Sequence, residues 1–226
     1  MLTAAAIAFA GGYVVGALPV AWVIARRRSG VDLRDRVSTG ASATSTLFVA
    51  GPAAALAAGL LECAKGAVVA LAAQLYSSAG WFIAVAVAGC VVGDAFPVGL
   101  RRSGRGLLPL VTALLVALPT AGLITAIAAV PAALLTSMRG RAFDSVIAIS
   151  VPAGLLLGTR DWRTLAPAAI IVAAILLRQR LRRRRRHSAL PGAPAWQSMV
   201  IDADLSSPAR QPPGRPGGQN PRPWET

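Results

Sequence analysis

The apolar stretches of this chain are separated by short arginine-rich segments. Those segments all fall on one side of a membrane if the chain crosses it seven times. Residues 4–25 form the first apolar run, which stops against Arg26, Arg27 and Arg28. At ~1.5 Å of helical rise per residue, such a run suits a bilayer core of about 30 Å. A second run covers roughly residues 50–76 and a third 81–100, the latter ending at Arg101, Arg102 and Arg105. The block 107–136 is too long for one ordinary span and short for two, with Pro119-Thr120-Ala121-Gly122 near its middle. If it crossed once, the Arg139/Arg141 loop and the basic run 178–186 would face away from the first two basic loops, against the positive-inside rule. A hairpin of two short spans, followed by spans at 143–158 and 165–177, places every arginine cluster in the cytoplasm. The expected fold class is therefore all-α: a polytopic membrane helical bundle of about seven spans, N-terminus outside and C-terminus cytoplasmic. The loop left outside, 159–164, carries Arg160, Asp161 and Arg163.

Composition excludes an ordinary soluble domain, because 55% of the 226 residues are hydrophobic and the mean hydropathy is +0.59. The net charge of +14 could suggest nucleic acid. However, the arginines flank apolar helices, and no basic domain interleaved with aromatics accompanies them. Topology and anionic headgroups account for them better, and no nucleic-acid partner is expected. Cys63 and Cys90 fall inside expected spans without CxxC spacing, which argues against a disulfide framework or a zinc site. The N-terminus reads as a retained first span, since it lacks a charged leader and a small-residue cleavage site. From His187 the composition turns to Pro, Gly, Ser and Gln. Residues 1–186 are thus expected to form the membrane domain and 187–226 a disordered cytoplasmic tail. Its polybasic approach, Arg182 through Arg186, is suited to anionic lipid. On the first span, Gly11, Gly12 and Gly16 make a small-residue face that lets a neighbouring helix come close.

The candidate functional residues are the polar ones beside the cytoplasmic ends of spans. Between spans one and two, Ser38, Thr39, Ser42, Thr44, Ser45 and Thr46 could donate hydrogen bonds to a phosphate, and Arg34 and Arg36 could neutralise it. A solvated Ser/Thr loop is the plainer reading of the same residues. In the second basic loop, Gly104 and Gly106 flank Arg105 just before span four. Backbone N–H groups there could face an anion, with Arg101, Arg102 and Arg105 adding charge. Ionisable groups within spans are costly enough to need a partner. Glu62 and Lys65 lie three apart on one helical face and are expected to form a structural pair. Asp94, near the end of span three, is expected in a structural salt bridge with Arg101 or Arg105.

The order and spacing of these segments resemble the bacterial acyl-phosphate:glycerol-3-phosphate acyltransferases, the PlsY-type membrane family. The matching positions are Tyr13, Gly16, Pro19 and Ala25; Val31-Asp32-Leu33-Arg34 through Ser38, with Ala43-Thr44; Leu61-Glu62 with Lys65-Gly66; Gly93 with Phe96-Pro97-Val98; and Gly104-Arg105-Gly106. They run in order over roughly residues 10–186, with one residue missing in the glycine-rich loop. The resemblance implies a multi-pass protein of the bacterial plasma membrane, in contact with membrane lipids. It implies transfer of a fatty acyl group from acyl phosphate to glycerol 3-phosphate, giving lysophosphatidic acid, with no cofactor or metal. Ser38, Thr44 and Ser45 are then expected as the catalytic hydrogen-bond donors. Arg34, Arg101, Arg102, Gly104, Arg105 and Gly106 would bind the substrate phosphates.

The chain departs from the family pattern where the chemistry is done. Ser45 stands for the family's asparagine, Phe48 for an arginine, Arg105 for a lysine, Asp94 for a histidine, and Gln179 for the histidine of the final motif. A homologue that keeps the fold as a lipid-binding or scaffold protein is the alternative these departures leave open. A small transporter fits less well, because Glu62 and Lys65 are the only paired polar residues expected at mid-membrane.

Overall fold

Proline lacks an N–H and disfavours helical geometry in the residue before it. At Pro19 it divides the first apolar run in two. The computed structural model of the chain describes residues 2–30, 43–97, 107–135 and 140–189. In it, α1 spans Leu2–Gly16 and α2 spans Val20–Ser29, so the expected single span 4–25 is two helices joined at 17–19. Within the break Val20 N–H donates to the Leu18 carbonyl at 2.9 Å instead of reaching back four residues to Gly16. α2 ends on its three arginines, and the Gly30 N–H donates to the Arg26 carbonyl.

Next come α3 (Ala43–Ala50) and α4 (Pro52–Tyr76), hinged at Gly51, whose φ of 84° is a left-handed value suited to glycine. α5 (Gly80–Ala95) is followed by α6 (Leu107–Ala117), α7 (Pro119–Leu135) and α8 (Gly140–Thr159). A single 3-10 turn, Trp162–Thr164, leads into α9 (Leu165–Ala189), which continues as helix through the arginine run. The described residues are all helix, turn or coil, as the all-α expectation requires.

Close contacts between helices give their directions. Gly66 on α4 meets Pro109 on α6, and the Gln74 side chain donates to the Ala117 carbonyl, so α4 and α6 run parallel. Gly154 and Gly158 on α8 meet Ala121, with Thr125 and Thr120 beside them, so α7 and α8 are antiparallel. Gly122 is packed against the backbone of Leu114 and Leu115, which requires the chain to reverse at Leu118. Residues 107–135 therefore form a helical hairpin, as the distribution of arginines led us to expect for the block 107–136. The turns at 77–79, 118 and 160–164 gather at one end of the bundle, where Gly80 touches both Thr159 and Leu118. Arg26, Arg27, Arg28 and the basic run of α9 lie toward the other end.

The surface is inverted relative to a water-soluble protein. Leu2, Ile7, Leu56, Leu60, Leu75 and Ile127 project outward, with Leu75 91% exposed, while much of the core is alanine, glycine and valine. A chain with its largest apolar side chains outside needs lipid around it. Leu2–Ser29 and Pro52–Tyr76 are long and apolar enough to cross a bilayer, and the other apolar helices are shorter.

α5 is the most enclosed element. On one side it lies parallel to α1, with Gly12 and Gly16 against the backbones of Ala86 and Cys90, and Gly89 and Gly93 against those of Phe9 and Tyr13. Each helix thus presents a glycine pair four residues apart to its partner's backbone. Of the expected glycine face, Gly12 and Gly16 belong to this contact; Gly11 faces open space.

Candidate functional site

The break in the first span leaves carbonyl oxygens without helical donors, and a buried lysine supplies them. Lys65, on α4, donates to the Gly16 carbonyl at 3.2 Å and the Leu18 carbonyl at 3.3 Å. Its Nζ also lies 2.8 Å from Asp94 Oδ1 on α5, with both side chains almost wholly buried. An ammonium group has three protons, and these contacts match them in number. One side chain thereby ties together α4, α5 and the α1–α2 junction.

This corrects the expected Glu62–Lys65 pair: the ion pair that Lys65 makes within 4 Å is with Asp94. Spacing of three residues puts Glu62 and Lys65 on one face, but the glycine packing of α1 on α5 brings a second carboxylate and the carbonyls of Gly16 and Leu18 to the lysine. Glu62 is buried on the same side of α4. Asp94 was expected to meet Arg101 or Arg105, both of which lie outside the described residues.

The end of α5 is held by a second bond. Tyr13 Oη donates to the Phe96 carbonyl at 2.8 Å, just after the helix stops. Nearby, Thr46 on α3 lies 3.5 Å from the Ala21 carbonyl of α2, and Ala43 packs on Gly59 of α4. Arg26 stacks over Trp22, 5.2 Å from the ring centroid. The start of α3 is thus carried to the same end of the bundle as the Lys65–Asp94 pair.

Thr44 and Ser45 are in the first turn of α3, and their side chains lie outside the described residues. Ser38, Arg34, Arg101, Arg102, Gly104, Arg105 and Gly106 are also outside them. In the chain, the stretches that carry these residues connect α2 to α3 and α5 to α6. Sequence reasoning missed Tyr13 and the carbonyls of Gly16 and Leu18 as parts of the site. The signal was present in Pro19, which stops the helix and so takes helical donors from the carbonyls just before it.

An apolar cavity of about 320 Å³ lies among α1, α4 and α5. It extends from Val15 and Val69, next to the Gly16 contact, to Ala4, Tyr76 and Phe82 at the far end. Along α1 that is ~16 Å at the rise of a helix. Tyr76 and Phe82 stack on each other with centroids 5.2 Å apart. Among the described residues no group of three metal-ligating side chains occurs.

Fold and site together define an integral membrane protein with a buried charged cluster toward the arginine-bearing end of its bundle and an apolar cavity leading away from it. Residues 6–188 match the protein family described as glycerol-3-phosphate acyltransferase, and the chain belongs to that family. It is 31% identical to glycerol-3-phosphate acyltransferase 5 of Dehalococcoides mccartyi, over 69% of this chain and 68% of that one. It is 34% identical to the glycerol-3-phosphate acyltransferase of Desulforudis audaxviator, over 67% and 76% of the respective chains. Its fold is similar to the crystal structure of PlsY (YgiH), an integral membrane glycerol 3-phosphate acyltransferase, in its glycerol 3-phosphate form. That likeness has a TM-score of 0.67 and 22% identity, and covers 89% of this chain and 97% of that one.

Proposed function

We propose that the chain acylates glycerol 3-phosphate from acyl phosphate at the cytoplasmic face of a bacterial plasma membrane. The observation that carries this reading is convergence. Tyr13, Gly16, Lys65, Gly93 and Phe96, among the positions that match the family motifs, come from α1, α4 and the end of α5 and meet around one ion pair. The segments expected to hold phosphate follow α2 and α5 in the chain. The apolar cavity beside Gly16 has the chemistry to take the acyl chain of the donor.

In the reaction the sn-1 hydroxyl oxygen attacks the acyl carbonyl carbon and forms the ester bond. The bond from that carbon to the phosphate oxygen breaks, and the hydroxyl proton leaves with the phosphate product. Two anionic substrates must be held together, so cations and hydrogen-bond donors are the main requirement. Ser38, Thr44 and Ser45 serve as donors, Arg34, Arg101, Arg102 and Arg105 as the phosphate clamp, and Gly104 and Gly106 open the backbone to the anion. Seven spans with the N-terminus outside place all of these in the cytoplasm under the positive-inside rule. Residues 187–226 follow as a cytoplasmic tail.

Asp94 gives a second reading some weight, since it replaces the histidine of the family pattern and is committed to Lys65. A non-catalytic lipid-binding homologue would keep this pair and lose transfer. Purified, detergent-solubilised protein, given an acyl phosphate and labelled glycerol 3-phosphate, should form lysophosphatidic acid. Ser38→Ala should reduce the rate at least about 100-fold, the scale of losing one placed hydrogen-bond donor. Folded wild-type protein that yields no product would overturn the transferase reading.

A further inference from the structure

The cavity among α1, α4 and α5 is built from two kinds of side chain. Along most of its length it is lined by alanine, glycine, valine and an isoleucine, and its aromatic residues, Tyr76 and Phe82, both lie at the end away from Lys65. Ile7 on α1 and Val68 on α4 are 73% and 56% exposed, so the cavity is a trough that opens sideways toward lipid.

Helix packing does not account for the open space. Gly12 is needed for the contact with α5, where an added Cβ would overlap the Ala86 carbonyl. Gly11 is different, because an added Cβ there meets nothing within 4 Å, and the residue lines the trough. Glycine lowers helix stability relative to alanine, so its presence where no neighbouring helix presses on it points to another use of the space.

The far end is closed by rings held in place. Tyr76 is the last residue of α4 and stacks on Phe82 of α5, with planes 21° from parallel. Trp81 meets Phe82 edge-on at 5.8 Å. Tyrosine and tryptophan at the ends of spans commonly anchor at the membrane interface. That role does not cover Phe82, which has no polar tip and is 6% exposed. The other end of the trough lies beside the charged cluster: Val15 precedes Gly16, and Val69 follows Lys65 by one helical turn. The trough thus suits a single straight apolar chain whose polar head sits at the cluster, and a fatty acyl phosphate has that form. Such a chain leaves one apolar medium for another when it comes from the bilayer, so burial contributes little and fit decides.

We infer that this trough measures the acyl chain of the donor, with Gly11 leaving room for the chain and the Tyr76–Phe82 stack as its stop. The inference rests on the acyltransferase reading, which puts the donor's phosphate at the end that holds Lys65 and Asp94. Full-length protein in one detergent is given octanoyl, dodecanoyl, hexadecanoyl and octadecanoyl phosphate. Each is measured in competition with labelled hexadecanoyl phosphate for binding, and with glycerol 3-phosphate for turnover. Affinity ratios between chain lengths are compared across proteins, so that partition into detergent cancels. Gly11→Leu places a branched side chain ~6 Å along the trough. It should lower the hexadecanoyl-to-octanoyl ratio about ten-fold, the scale of an overfilled apolar site. Tyr76→Ala removes the stop and should raise the octadecanoyl-to-dodecanoyl ratio about five-fold, by relief of the same kind of overlap. A general weakening of the site would lower all chain lengths together. A folded variant whose ratio stays at the wild-type value, as it would if the trough held only bilayer lipid, overturns the inference, and so does a ratio that moves the other way. Should one variant fail to fold, the other decides. Ratios that shift as expected while wild type makes no lysophosphatidic acid sink the transfer reaction alone. Transfer by wild type with one chain-length profile in all three proteins sinks the measuring role alone.

Discussion

The contact between α1 and α5 is made in two different ways along its length. From Phe9 to Cys90 it is dry, with glycines of each helix resting on the backbone of the other and no polar side chain involved. One turn further, the same two helices are joined through Lys65, Asp94 and the carbonyls of a broken helix. Lipid offers no hydrophobic drive for helices to associate, so the first region must be held by close packing. The second cannot exist without complete pairing, because each buried polar atom left alone would cost more than the contact returns. The dry region thus tolerates substitution according to shape, and the charged region according to partnership.

Lys65→Met should be the most damaging test of this contrast. It removes the Lys65–Asp94 ion pair and strips two carbonyls of a donor, a loss of about 3–5 kcal/mol of stability. Adding Asp94→Leu to Lys65→Met should restore part of that stability while leaving the carbonyls of Gly16 and Leu18 without the lysine. Thermal unfolding of the single and double variants in detergent would show it, and a double variant less stable than the single would refute partnership as the principle. In the dry region Gly89→Leu should cost about 1–3 kcal/mol by forcing α5 away from Phe9, where an added Cβ overlaps backbone. The same change at Gly11, which faces open space, should fall within about 0.5 kcal/mol of wild type. Equal effects at the two glycines would remove the argument from shape. The smallest change, Tyr13→Phe, deletes only the bond to the Phe96 carbonyl. It should lower stability by about 0.5–1.5 kcal/mol, read as a modest drop in the same melting curve.

The helical hairpin turning at Leu118 was legible from charge alone, because the positions of arginines restrict how often the chain can cross. The positions of the apolar runs were legible for a similar reason: hydropathy integrates over a whole span. The break at 17–19 was not read, although Pro19 was in plain view, because hydropathy does not register which carbonyls lose their donors. The partner of Lys65 was misassigned because helical spacing describes neighbours on one helix only. Asp94 reaches it through the reciprocal glycine packing of α1 and α5, and only the Gly12/Gly16 half of that packing was recognised. The convergence of Tyr13, Lys65 and Phe96 is likewise tertiary, and pattern matching supplied those residues without their arrangement.

The interrupted first span also has a consequence for the order of synthesis. Gly16 and Leu18 precede in the chain the ammonium group that bonds their carbonyls, which is translated only with Lys65, and the carboxylate that balances it, which comes only with Asp94. Until then the amino-terminal segment has no finished bonding partner of its own. The α1–α2 junction can therefore take its final bonding only after α4 and α5 have been made.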